Sequence, residues 1–497
     1  MPDKLVGRVG FIGINDYAPQ HLAKPGYLRY ADNWYCDDGI LTRRAGTRKW
    51  NQNSINTGTV HGLAVMYRGS LPPVIVAAIG GRLYYGSDAT GTMTQLYQLN
   101  GPIADVSFAS FKDQLFACDG NNRLLRWTGT AGAFEDVGTT TTPRGKYLLA
   151  LDNRLFQANV DENNNQVVWP DVGSYESWSE STNFANIDPF GTVGPGTLNG
   201  IKASGGYPVC YKSVGLVRLF ATGNGYVTRT VSQGKGCVAP KSLADSGTVN
   251  YYLGKDAIYT FGGGSPVDLT SKKIKRLFDE IDPKHAGNAV GVYHNFKYYL
   301  FYTPRDGSYT GNSRCLVWNE EVGEFTGHFT YPFNVTCAFS RTDPNDNGEL
   351  IVGADDGNIY RLDIGHDDDG VAIIADAHTL SDDFGSSGID KRFYRAYLHH
   401  EKTGLNSVTL RHYAGTDEIG NAGAVPLDGN GSTWQGQTWG NTVWAGDRDD
   451  KARYDFVNGM QNRTWGTNLT LRLQQSNLAE AARIHGYEVL FQERGLS

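Results

Sequence analysis

The chain has 497 residues, of which 40% are hydrophobic and 12% aromatic, with 62 glycines and a formal net charge of −7. That length predicts two or three domains, and the apolar content excludes intrinsic disorder. The acidic balance lacks the basic stripe of a protein that grips nucleic acid, although like charge would keep DNA from sticking to a passage. Gly-rich turns with abundant Tyr, Phe and Trp predict an all-β protein, because these rings pack well on pleated surfaces.

The opening MPDKLVGRVGF has no apolar signal-peptide core, so synthesis without Sec export is expected. In 27–46, YLRYADNWYCDDGILTRRAG, the turn signal Asp37-Asp38-Gly39 between apolar runs predicts a hairpin. The basic stretches LTRRAGTRK (41–49) and SKKIKR (271–276) read as solvated faces or subunit contacts. The longest apolar run, PPVIVAAIGG, is far below the ~20 residues of a membrane helix.

From Gly80 to Asp363 one phrase recurs seven times: a Gly/Asp/Asn turn, then an alternating apolar-aromatic strand. Its central residues are Leu83, Leu115, Leu155, Leu216, Ile258, Tyr298 and Ile359. The intervals are 32, 40, 61, 42, 40 and 61 residues and average 46, near the ~40–50 of a four-stranded propeller blade. Small sheets that cannot bury themselves alone must be arranged radially. A propeller of six to eight blades follows, with seven favoured. Hairpin loops at DENNNQ (161–166) and PRDGSYTGN (304–312) are expected to account for the two long intervals. KKIKRLFDEID (272–282) sets Ile274, Leu277, Phe278 and Ile281 on one helical face, with Thr270 or Ser271 as N-cap and Pro283 as terminator.

The repeat stops near Gly370. KRFYRAYLHHE (391–401), SVTLRHYAG (407–415), NLTLRLQQS (468–476) and RIHGYEVLFQE (483–493) alternate as half-buried strands of a small β-sandwich. The expected organisation is 1–58, a segment with a hairpin that packs on or closes the propeller; 59–375, the propeller; and 376–497, the sandwich. Trp434, Trp439 and Trp444 are five apart, a spacing that fits neither helix nor strand. They read as core plugs of the sandwich or as a loop-borne binding platform.

No catalytic, cofactor-binding or metal-binding residue is assigned, and no cofactor is expected. Asp343-Pro344-Asn345-Asp346-Asn347-Gly348 matches the first half of a calcium loop, but Ile351 and Ala354 stand where its later ligands belong. HDDDG (366–370) reads as a solvated linker. Gly353-Ala354-Asp355-Asp356-Gly357-Asn358-Ile359-Tyr360 keeps the Asp and Gly of a sialidase-type turn without its Ser and Trp. His399-His400 lies in a strand, where neighbours face opposite sides. The six cysteines are scattered without a C-x-x-C pair and read as free thiols. No phosphate loop, zinc-protease motif or nucleophile elbow occurs.

Several segments together resemble the β-propeller virion proteins of short-tailed bacteriophages. Pro25-Gly26, Ala31-Asp32-Asn33 and Arg44-Ala45-Gly46 match that family's lead-in to the first blade. DNRLFQANVDENNNQVVWPDVGSYESWSE (152–180) is similar to one of its blades. The helix after Val267-Asp268-Leu269-Thr270 and the ending Ile484-His485-Gly486-Tyr487-Glu488 through Gln492-Glu493-Arg494-Gly495 also fit. The resemblance implies a tail nozzle in the virion, assembled in the host cytoplasm: a homo-hexameric ring below the portal and adaptor, carrying fibres or spikes. DNA would pass its lumen without specific binding, no membrane would be involved, and the family offers no catalytic residues to transfer. A host-surface receptor-binding propeller and a polysaccharide-degrading propeller enzyme are the alternatives.

Overall fold

The computed structural model describes residues 4–494 apart from 18–23, 53–54, 56–57, 70, 89, 131, 138–141, 162, 179–181, 189–190, 224, 308–309, 343–347, 402–406, 415–416, 419–421, 428–448, 457–463 and 479–480. The Trp434, Trp439 and Trp444 segment and the calcium-like turn 343–347 lie outside the described residues. Ile351 and Ala354, at the missing ligand positions, are fully buried.

The chain is all-β: a seven-bladed β-propeller joined to a β-sandwich, with one short helix. The innermost strands of the seven blades are Val60–Arg68, Ser107–Phe111, Gly145–Leu151, Leu198–Ser204, Ala244–Asp245, Val290–His294 and Val335–Thr342. Tight hairpins make this possible. At Lys112-Asp113, Asp152-Asn153 and Asn295-Phe296 both turn residues take positive φ, the two-residue geometry that matches strand twist. Asp38-Gly39 makes the same turn in the N-terminal hairpin, with φ of 47° and 80°.

All seven phrase centres are buried, one per blade. They do not occupy one structural position, however. Leu115, Leu155 and Tyr298 sit on the second strand of their blades, whereas Leu83, Leu216, Ile258 and Ile359 sit on the third. Both 61-residue intervals run from a second strand to a third, so a change of strand, more than long hairpins, lengthens them. The 161–166 loop is itself mostly strand, since Asn163–Val168 pairs with Arg154–Val160.

The N-terminal segment is spread over three sheets. Thr47–Lys49 pairs antiparallel with Ile359–Leu362 and supplies the outer strand of blade seven, closing the ring. Trp34–Asp37 continues blade six beyond Glu324–Thr330, and Ile40–Arg43 then meets Arg483–Glu493 of the sandwich. Blade six and one sandwich layer are therefore one 11-stranded sheet. Tyr27–Asp32 joins the other layer beside Ala375–Thr379. Alternation, reset by register shifts between Phe393 and Arg395 and between His399 and His400, buries Phe393, Leu398, Leu410, Leu471, Leu473, Val489 and Phe491 between the layers.

The helix is shorter than its pattern, Lys275–Asp279, but Ile274, Leu277, Phe278 and Ile281 are all buried in the core shared with blade six and the sandwich. Neither Thr270 nor Ser271 caps it. Asp268 instead binds the Thr270 and Ser271 amides (2.7 and 3.0 Å), and Asp16, 260 residues away, accepts from the Arg276 and Leu277 amides (3.1 and 2.7 Å). A remote carboxylate thus occupies the positive end of the helix.

Candidate functional site: the axial channel and the closure joint

The propeller encloses an axial cavity of about 460 Å³ to which all seven blades contribute lining residues. Charge is uneven along it. His61, Lys146, Lys202 and Lys241 line it together with Asp105 and Asp119. Asp105 accepts from Lys241 Nζ at 3.0 Å and approaches His61 Nδ1 at 3.3 Å. Burial opposes its ionisation, but His61 and Lys241 outweigh burial and hold its carboxyl below the usual range. Asp119 is spent on its own turn, accepting from the Asn121 and Asn122 amides and from Asn122 Nδ2. Both acids of the channel are thus held by hydrogen bonds or ion pairs to their neighbours. Lys146 and Lys202 have no hydrogen-bond or ion-pair partner among the described residues. Burial pulls the Lys202 ammonium down from its ordinary pKa, against the pull of Asp245. All six thiols are buried and raised, Cys337 in the channel wall and Cys237 both to about 12. At neutral pH they are poor nucleophiles.

The closure joint corrects two expectations from the sequence. Arg43 and Arg44 are not a solvated face, and Asp367 and Asp368 are not a solvated linker: all four are buried. Arg44, 2% exposed, forks onto Asp368 (2.9 and 2.5 Å), which is 6% exposed. It also donates to Asn33 Oδ1 (2.6 Å) and the Thr330 carbonyl (2.7 Å). Burial disfavours the guanidinium charge, but Asp368 reverses the effect and lifts the Arg44 pKa. Arg48 makes the parallel fork onto Asp367 (2.7 and 2.9 Å). Between them Gly46 lies so close to the following linker that a Cβ there would fall 1.9 Å from the Asp367 carbonyl oxygen. Only glycine fits. A second charged cluster ties blade seven to blade one: Arg341 forks onto Asp88 (2.8 and 2.7 Å), and Asp88 also accepts from Trp50 Nε1 (2.9 Å).

Sequence reasoning did not single out the channel lysines. Each stands on or beside an innermost strand, in GKYLL, GIKAS or APKSL, and only the ring brings them together. His399 and His400 do face opposite ways, His399 toward Glu488 (3.0 Å) and His400 into the interior. No group of three or more His, Cys, Asp or Glu arranged for a metal ion occurs among the described residues.

No protein-family profile and no curated protein matches the chain. Solved structures do. A computationally designed protein, Ika8, is similar at 13% identity with a TM-score of 0.41, covering 72% of this chain and 99% of its own. YCF48 from Cyanidioschyzon merolae is similar at 10% identity with a TM-score of 0.43, covering 64% and 98%. BBS1N, solved in complex with ARL6DN, is similar at 11% identity with a TM-score of 0.42, covering 67% and 98%. At such identities the likeness concerns the fold alone.

Proposed function

We propose that this chain is a structural ring subunit of a short-tailed bacteriophage tail, the nozzle through which DNA leaves. The observation that carries the reading is where the resembling residues lie. Asn33 of Ala31-Asp32-Asn33, and Arg44 and Gly46 of Arg44-Ala45-Gly46, meet in one interlocked joint that holds the propeller closed against blade six. Asn33 and Arg44 flank the paired ends of one hairpin, and the joint gives the resembling lead-in a structural task in ring closure. Support also comes from the sheet shared by propeller and sandwich, which makes the subunit a stiff block suited to bearing load. On this reading the subunit packs with copies of itself, suspected to be six, docks an adaptor above and fibres or spikes outside, and lets DNA pass a weakly repelling lumen. Electron microscopy of the purified chain, with and without an adaptor, tests it together with mass spectrometry of intact particles. Sixfold rings and a place in the tail are expected. A soluble monomer absent from particles would sink the reading.

A further inference from the structure

The channel lysines have no role in the ring reading, and they carry an independent one. The cavity is lined by residues from every blade, and its two acids already have partners. What remains without a hydrogen-bond partner among the described residues is cationic: the ammonium groups of Lys146, an exposed residue, and of Lys202, half-buried and drawn by the charge of Asp245, with Lys241 held in the same space by Asp105. Lys146 is braced for this position. Its stem lies against Gly120, where a Cβ would fall 2.7 Å from Lys146 Cγ. No arginine lines the cavity, so it lacks the planar fork that suits a carboxylate. The lysines come from separate blades, and ammonium groups act as point charges, which suits a compact oxyanion with oxygens on several sides.

We propose that the axial channel is a binding site for one small phosphate-class oxyanion, held between Lys146 and Lys202 and completed by Lys241. Burial already works against the Lys202 charge, and an anion in the channel would restore it. The proposal does not depend on ring assembly and applies equally to an isolated subunit.

The test is calorimetric titration of the full chain with inorganic phosphate at constant ionic strength, with acetate as the comparison. One saturable site per chain is expected, with acetate weaker. Lys202→Met and Lys146→Met should each weaken phosphate by about tenfold or more, the loss of one charge-assisted contact. Lys255→Met, on an exposed turn away from the channel, should leave it unchanged. Thermal melts without phosphate verify that the variants fold, and a density map of the phosphate-loaded chain should place the ion on the axis. Absence of saturable binding, equal binding of acetate, or unchanged binding in both channel variants would overturn the proposal.

Discussion

Replacing Asp368 by Asn probes the closure joint most directly. Asp368 supplies both oxygens to Arg44 and accepts from Thr47 Oγ1 at 3.2 Å, on the strand that completes blade seven. Of the five hydrogen bonds that Arg44 donates, two go to this carboxylate, and the others reach Asn33, Ala45 and Thr330. Removing one partner of a buried ion pair costs ~3–5 kcal/mol, because the remaining charge stays desolvated. Asn keeps one acceptor, so Asp368→Asn should cost about 3 kcal/mol, at the low end of that range. The urea midpoint, followed by tryptophan fluorescence, reads the loss. A double-mutant cycle with Arg44→Met isolates the pair. Once the guanidinium is gone Asp368 is itself an unpaired buried acid, so Asp368→Asn should then be neutral or stabilising. Asn33 Oδ1 keeps a donor in that background, the Thr330 amide at 2.9 Å. A cost below about 1 kcal/mol, or no coupling in the cycle, would show that the pair behaves as a surface salt bridge and refute the reasoning.

Three further outcomes are expected. Asp16→Ala removes the remote cap of the helix and should destabilise by ~1–2 kcal/mol, read in the thermal midpoint; Asp16→Asn should recover part of it. Phe296 holds a φ of 59° while 57% exposed, so Phe296→Gly should raise stability by about 1 kcal/mol by relieving left-handed strain; a lower midpoint would show that the ring has a packing role. His328 is fully buried, with Tyr302 Oη 3.0 Å from Nε2, Asp32 3.8 Å from Nδ1 and Arg314 nearby. Burial and then the Arg314 charge push its pKa down to about 3. The unfolded chain therefore binds the proton first. Stability is complete above the unfolded pKa of ~6.5 and is lost as pH falls toward 3, about 2 kcal/mol by pH ~5. His328→Gln should flatten that part of the urea-midpoint profile, and an unchanged slope would exclude His328 as its source.

Much of the architecture is legible in local sequence because its causes are local. Alternation in 391–401 and 483–493 places two long strands at their observed bounds, Lys391–Glu401 and Arg483–Glu493. Asp38-Gly39 announces its hairpin because few residue pairs accept positive φ twice. The repeat yields one phrase per blade because each blade must bury one large apolar residue in a middle strand. What it cannot reveal is which middle strand, since second and third strands face the same demands and read alike. That is why the interval lengths mislead. The joint is illegible for a different reason: RR at 43–44 and DD at 367–368 each look like solvated charge, and they become a buried pair only when some 320 residues of propeller return the chain to its start. Channel lysines share that difficulty.

Ring closure has a kinetic consequence for folding. Thr47–Lys49 is made early and pairs with Ile359–Leu362, and Ile40–Arg43, joined on one side to Trp34–Asp37, meets its other neighbour only at Arg483–Glu493. The first contact waits for residue 362 of 497 and the second for almost the whole chain. Contacts of such separation carry loop-closure entropy before they yield burial, and so they form late. Before that, blade seven has an open edge and the apolar faces of the sandwich are uncovered, the kind of surface that aggregates. The buried charges at the joint fit this order of events. Arg44 and Asp368 gain little from a loose approach in water and much from a fully formed, desolvated fork. They favour the correctly closed ring over a nearly closed one.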